Sequence, residues 1–489
     1  MASGCGQGSG AGRWSWVVSG AVTGACLTLA LALSGGRSRA YTAYSLAVHK
    51  TKAIPAFARK YGLPCSACHT AWPELNSFGQ AFRDNGYQLM NDRDSPIWQN
   101  PSYFPVTARI TPNLHLERTT HQAVDATPGV AGPPFVERAI SQSGFDLSGM
   151  DLWLAGTLFQ NISFSLLPSS NNLAQFHFEN AFVRFDNLGN SRWVNVKAGK
   201  FELDNLISEK RFLFLSNNGG LYQSYHFVPL GDATNFGLGD NQLGVELTGH
   251  SQTSYSRYGV AVLSSTEGQP GLPGGKSFDT YLTLSQAFDA GKLGVERVGV
   301  YAYVGQRPTI AASQTIGGTT PVPGTAAGDK PFYRIGAAGD LFFGDLEFLP
   351  FFMHAYDDQY LATATPANGT LPAGAQNATW NAAFLEAHYY VSPQLVFTGR
   401  YETVRMSSQP LAATPTNLGN IDAYSVGLRW YPFMFSRAGL SWHTEVSFAK
   451  TQGAYPLSGD GIGPPLAPAL FPSDAVWSTS VFTGLDFDF

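Results

Sequence analysis

The sequence predicts a mainly β fold: an outer-membrane β-barrel of about 16 antiparallel strands, preceded by a small helical segment. Three observations predict it. Short runs alternating apolar and polar residues recur from Tyr103 to Phe489. The connections between them mostly alternate short and long. No stretch of eighteen apolar residues follows the first forty, so the body lacks a helical membrane span.

Composition agrees. A length of 489 residues would allow two or three soluble domains, but charged residues are only 13%, aromatics are 13%, and there are 53 glycines. The formal charge of −5 is small for this size and points to no nucleic-acid partner and no polyanionic tail.

Residues 1–40 read as an export signal. Arg13 supplies a sparse positive start, Val17 to Leu33 an apolar core, and Ser38-Arg39-Ala40 a small-x-small cleavage site before Tyr41. Cys5 and Cys26 leave with the signal, so the mature chain keeps Cys65 and Cys68 alone.

Residues 41–100 read as a small helical domain around Cys65-Ser66-Ala67-Cys68-His69. C-x-x-C-H is the attachment signature of c-type haem. Each thiol can form a thioether with one vinyl group, and the two-residue gap matches the spacing of those vinyls. The adjacent imidazole of His69 then reaches the iron as proximal ligand. A zinc site would need a second ligand pair, and no cysteine lies downstream. A thioredoxin-like pair would sit in a βαβ pattern, and none is visible. Ile54, Phe57 and Tyr61 share one face of a helix that Gly62 can end. Pro73 suits a helix start; Leu75, Phe78, Gly79 and Phe82 share a face, and Gly86 can close it. Sixty residues make a meagre core, so this segment needs another surface to pack against.

Residues 101–489 read as the barrel. Val106, Ala108, Ile110, Leu114 and Leu116 oppose Thr107, Arg109, Thr111, Asn113, His115 and Glu117. Leu395, Phe397 and Tyr401 oppose Thr398, Arg400 and Glu402; Tyr424, Val426, Leu428 and Trp430 oppose Ser425, Gly427 and Arg429; Leu440, Trp442, Val446 and Phe448 oppose Ser441, His443, Glu445 and Ser447. Strands of that length, aromatic near their ends and charged on the second face, fit lipid outside and water within. Sixteen such runs are expected near 103–118, 142–157, 161–168, 173–186, 192–203, 239–249, 254–264, 277–288, 293–305, 330–342, 344–356, 379–391, 393–406, 421–431, 437–451 and 475–489. Short turns near 289–292, 344–345 and 391–393 belong on the periplasmic side; long loops at 204–238, 306–329, 357–378 and 452–473 belong outside. An even count leaves both barrel ends beside the helical segment. The last run carries Val481, Leu485, Phe487 and Phe489 on one face, and its aromatic end resembles the terminal signal of bacterial outer-membrane barrels. Loops dominated by Thr, Ala, Gly and Pro carry few acids to protonate, which suggests an acidic habitat.

The stretches Pro55-Ala56-Phe57-Ala58-Arg59-Lys60-Tyr61-Gly62, Cys65–His69, Pro73-Glu74-Leu75-Asn76-Ser77-Phe78-Gly79 and Asn85-Gly86-Tyr87 resemble fused outer-membrane porin–cytochrome c proteins. The best-known members are the ferrous-iron oxidases of iron-oxidising bacteria. The resemblance covers about residues 53–90 by motif and the barrel only by architecture. It implies one covalent haem c bound through Cys65 and Cys68, with His69 as axial ligand, lodged in or under the barrel. It implies electron flow from extracellular Fe(II) to a periplasmic acceptor, a blue copper protein or soluble cytochrome c.

The sixth iron ligand stays open. Met90 is the nearest methionine after the motif, and His/Met ligation raises the potential. His115, on the expected lumen face, is its main rival, with His49 behind. Three functions follow: oxidation of Fe(II), an electron conduit of other substrate or direction, and a porin whose haem domain is a structural plug. No nucleophile, base triad or phosphate loop accompanies the motif.

Overall fold

Period-two alternation makes strands, and strands that are apolar on one face and polar on the other cannot leave an edge unpaired in lipid. The computed structural model resolves this by closure. Sixteen strands form one antiparallel barrel, in which the first pairs with the last. The structure describes residues 56–61, 63–71, 73–89, 105–127, 129, 135–170, 176–209, 222–229, 236–264, 278–309, 312–316, 320–323, 328–363, 371, 373–410, 420–434, 439–452 and 475–488. The expected export signal, His49, Ile54, Met90 and Phe489 lie outside these residues.

The strands run β1 (Val106–Asp125), β2 (Phe135–Phe159), β3 (Ile162–Ser170), β4 (His177–Phe185), β5 (Asn195–Glu202), β6 (Asn241–His250), β7 (Ser256–Ser264) and β8 (Phe278–Asp289). Then come β9 (Val295–Thr309), a separate hairpin of β10 (Ala312–Ile316) and β11 (Thr320–Pro323), and β12 (Gly328–Phe343). The wall finishes with β13 (Leu346–Asp357), β14 (Ala378–Ser392), β15 (Leu395–Ser408), β16 (Ile421–Met434), β17 (Gly439–Gln452) and β18 (Ala475–Asp488). Each barrel strand overlaps one of the sixteen expected runs, with β1 and β2 extended toward their shared loop.

The faces fall as the alternation requires. Phe397, Tyr401, Tyr424, Val426, Trp430, Trp442, Phe448 and Phe487 point outward and are exposed. Ser425, Arg429, His443, Glu445 and Asp486 point inward and are buried. A continuous apolar outer wall around a polar inner one is the arrangement that places a barrel in a bilayer.

Two expectations about the interior are corrected. The first is the loop at 204–238, expected outside. Its described parts fold into the lumen instead, where Leu203, Ile207 and Leu238 are fully buried. They pack with Tyr222, Tyr225, Phe227 and Phe236 against Tyr281, Tyr303, Phe332, Phe351, Trp380 and Phe384 of the wall. Tyr222 stacks on Phe384 at 4.4 Å and Phe236 meets Tyr303 at 4.3 Å between ring centroids. Burying one side chain such as Ile207 contributes about 1.5–3 kcal/mol, which outweighs a solvated loop. The second correction follows: this part of the lumen is an apolar core and not water. Likewise 306–329, read as a loop, contains the end of β9, the β10–β11 hairpin and the start of β12.

At one end of the barrel the connections at 160–161, 251–255, 290–294, 344–345, 393–394 and 435–438 are short, with a longer one at 186–194; those at the other end, apart from 171–176, are as long as that one or longer. The start of β1 lies beside the end of β18, with Arg109 opposite Asp488, so both barrel ends share the short-turn end.

Lipid contact predicts a mutational asymmetry. Val426→Arg, mid-strand and outward, should cost about 2–4 kcal/mol of stability in bilayers; Val426→Leu should cost little. Unfolding of the lipid-refolded variants in denaturant measures the difference.

Candidate functional site

Among the described residues three short helices precede the barrel: α1 (Ala56–Tyr61), α2 (Cys65–Cys68) and α3 (Ser77–Asp84). Pro64, in extended backbone, stops the chain before α2 and starts its single turn. That turn sets Cys65 and Cys68 at i and i+3, which share one face of a helix. The His69 amide donates to the Cys65 carbonyl at 2.9 Å and closes the turn.

Asn76 ties this turn to α3. Its amide donates to the Ala67 and Ser66 carbonyls at 3.1 and 3.3 Å, while its carbonyl oxygen accepts from the Gly79 amide at 2.9 Å as N-cap. Gly79 lets the two elements touch: a Cβ there would meet the Cys68 carbonyl oxygen at 2.0 Å. The face of α3 differs from expectation for the same reason. Gly79, Ala81 and Phe82 are buried, but Phe78 is exposed. The helix also starts at Ser77, capped by Asn76 and not by Pro73.

His69 is oriented by its backbone neighbours. Its Nδ1 lies 3.1 Å from both the Pro73 and Glu74 carbonyl oxygens. Two acceptors require Nδ1–H, so in the neutral ring Nε2 carries the lone pair. Burial holds the imidazole down to about 4, against the pull of the Glu74 and Pro73 carbonyls. The ring is therefore neutral, as an iron ligand must be. Burial, with Cys65 beside it, pushes the Cys68 thiol up to about 11.

Cys65, Cys68 and His69 line one cavity of about 510 Å³, between the helical head and the inner wall of β1–β7. That is within the ordinary range of cofactor pockets, about 300–1,000 Å³. Phe57, Tyr61, Phe82 and Tyr87 form an aromatic side to it; Phe57 stacks on Tyr87 at 4.9 Å. The wall contributes Trp153, Phe182, Phe201, Lys197, Arg184, Arg257 and His250. Paired thiols, a neutral imidazole and an aromatic side are the groups that would hold a covalent haem, while the cavity's cations are paired with carboxylates, Arg257 with Asp84 and Asp204 and Lys197 with Glu246. A larger concavity, about 800 Å³, lies among Leu284, Val298, Val300 and Phe352 and is lined by neither cysteine nor histidine.

Buried polar contacts dock the head inside the barrel. Arg257 donates to Asp84 of α3 at 2.8 Å and to Asp204, from the inward segment, at 2.7 Å. Arg83 reaches Asp204 at 2.7 Å. Burial alone would raise Asp84 and Asp204, but Arg257 and then Arg83 overcome it and hold both carboxyls below their ordinary range. Arg184 pairs with Asp186 at 2.5 Å and donates to the Arg83 carbonyl at 2.7 Å. On the far side Glu74 accepts from Tyr390 at 2.8 Å and faces His388 Nδ1 at 3.1 Å. His388 also meets Glu347 at 2.9 Å and Glu386 at 2.6 Å.

The other expected ligand is elsewhere. His115 projects from β1 with Nε2 at 3.1 Å from the Ser480 hydroxyl, and it does not line the cavity. Sequence reasoning missed Asn76, Asp204, His250, Arg257, Glu347 and His388. Period two could have flagged Glu386, His388 and Tyr390 as consecutive inward positions. Asn76 carries a local signal too, as an N-cap three residues before Gly79, whereas Asp204 and Arg257 leave none, because their partners lie far away in the chain.

No protein-family description matches the chain, and no curated protein does. Among solved structures the chain is similar to OmpT, an outer-membrane protein of Vibrio cholerae, at 12% identity over 79% of this chain and 98% of that one, TM-score 0.44. It is similar to an anion-selective porin from Comamonas acidovorans at 12% identity over 78% and 98%, TM-score 0.45. A third, OprB of Pseudomonas putida, has 9% identity over 78% and 94%, TM-score 0.39.

Three outcomes are expected. Gly79→Val should displace the Cys65–His69 turn and lower covalent haem per protein severalfold, read from haem absorbance against protein mass. Carboxylates held low add stability above their unfolded pKa, about 3.9, and lose it only as pH falls through the lower folded values. The head should therefore remain docked at about pH 3. Arg257→Leu removes the main cation of Asp84 and one of the two that hold Asp204, and should cost about 3–5 kcal/mol. Thermal unfolding of both proteins in mild acid and near neutrality measures each effect.

Proposed function

We propose that the chain is a c-type cytochrome of the outer membrane, which oxidises extracellular Fe(II) and passes the electron to a periplasmic acceptor. The observation that carries the reading is the meeting of Cys65, Cys68 and His69 on one cavity inside a closed barrel. Haem c, when bound, supplies a one-electron couple.

The residues around it have separable tasks. Cys65 and Cys68 hold the group by their sulfurs. His69, its Nδ1 held by two backbone carbonyls, offers Nε2 to the iron. Phe57, Phe82 and Tyr87 shield the cavity from water. Arg184 and Arg257 keep the head seated, so the site keeps a fixed position in the wall.

The barrel explains why such a protein would span a membrane. Its outer wall is apolar over a band about 25 Å tall, and ferric product is best formed outside the periplasm. The apolar packing of Leu203, Ile207, Tyr225 and Leu238 across the lumen favours electron passage over solute passage. Fe(II) as donor, and a blue copper protein or soluble cytochrome c as acceptor, follow from the motif resemblance. Each turnover converts one Fe(II) to Fe(III) and reduces one acceptor by one electron.

Purified ferric protein mixed with Fe(II) should show the reduced haem spectrum. Cys65→Ala and Cys68→Ala should lose covalent haem and the response. A midpoint potential well below that of the Fe(III)/Fe(II) couple would rule out iron as donor. For orientation, a membrane-impermeant thiol reagent on intact cells should label Gly374→Cys in a long loop and spare Gly291→Cys in a short turn.

A further inference from the structure

We infer that His250 is the second axial ligand of the haem iron, opposite in role to His69; this rests on the haem reading above. His250 ends β6 and lines the same cavity as Cys65, Cys68 and His69. It is 4% exposed, and its Nε2 has no hydrogen-bond partner among the described residues. A buried polar nitrogen left unpaired is costly, so the atom calls for a partner that the described residues do not supply.

The ring is prepared as His69 is. Its Nδ1 lies 2.9 Å from the Ser251 carbonyl oxygen, with the Ser254 hydroxyl at 3.4 Å. A carbonyl acceptor requires Nδ1–H, which leaves the lone pair on Nε2. A backbone carbonyl on the far nitrogen is the arrangement metal-bound histidines use to fix tautomer and ring direction.

The backbone under His250 is held in place. Gly249 packs so tightly that a Cβ would meet the Tyr258 ring at 2.2 Å and the Trp193 carbonyl oxygen at 2.6 Å. The cross-strand partner of His250 is Arg257, which grips Asp84 of the helical head. The same ion pair that seats the head therefore sets the distance between the head and His250.

The rivals are engaged or elsewhere. His115 bonds Ser480 outside the cavity. Both nitrogens of His388 face carboxylates, Glu347 at 2.9 Å and Glu386 at 2.6 Å. Lys197 of the cavity wall is paired with Glu246, and the Tyr258 hydroxyl with the Trp193 carbonyl.

The experiment uses the full-length holoprotein in detergent, with covalent haem counted first. Low-temperature electron paramagnetic resonance and near-infrared magnetic circular dichroism of the ferric form should give the low-spin signature of two imidazoles. His250→Ala should keep its covalent haem and become high-spin, and added imidazole should restore the low-spin form. His250→Met should stay low-spin, gain the sulfur–iron charge-transfer absorption and rise in midpoint potential, since a thioether favours the ferrous state. His115→Ala should leave the spectrum unchanged. A methionine or high-spin signature in the unmodified protein overturns the assignment, as does a low-spin spectrum that His250→Ala leaves intact. Unmodified protein without covalent haem overturns both the assignment and the reading beneath it.

Discussion

One buried ion pair organises this molecule: Arg257 of the wall, bonded to Asp84 of the head and Asp204 of the inward segment. The wall and two parts of the chain with little core of their own meet at that guanidinium. Short helices around a thiol turn have too little apolar surface for an independent core. The inward segment has no strand or long helix among its described residues. The barrel supplies both with a wall, and a charge that is buried must find its partners there. Desolvation makes the arrangement costly to break one partner at a time, so the head is seated in one register.

The second anchor has a different character. Glu74, Glu347 and His388 gather three ligand-type atoms within 4.8 Å of one another, all buried, with Tyr390 against them. Glu74 is also the residue whose carbonyl orients His69. Docking and ligand orientation are thus coupled through one residue: its side chain grips the wall while its backbone turns the imidazole. The opposite anchor repeats the logic, since Arg257 holds the head and lies across from His250. The cavity between is defined from both sides by contacts that also fix the thiol turn.

The wall was legible in the sequence because period two is a local property. Residues such as Val426 and Arg429 announce their faces by alternation alone. The interior was less so. Leu203, Ile207 and Leu238 sit in a segment whose composition resembles any long loop, yet they form the apolar core of the lumen. Their burial depends on what faces them: Tyr281, Tyr303 and Trp380 occupy inward positions, where aromatic rings await a partner. Phe78 erred for a related reason. Helical spacing says which residues share a face, not which face a neighbouring turn will cover, and Gly79 decided that by admitting the Cys68 carbonyl.

The sequence by itself determined a barrel of about sixteen strands, the alternation of its faces and the closeness of Cys65, Cys68 and His69 in one turn, because each is set by neighbours a few residues apart. Only the tertiary structure decided where that turn would sit, what fills the lumen, and which distant side chains share its cavity. Asp84 meets a residue 173 positions away, and Glu74 one 314 away. Pairings across such separations leave no local periodicity. They follow from closure of the sheet, which brings every inward position around one space and obliges each buried charge there to find its counterpart.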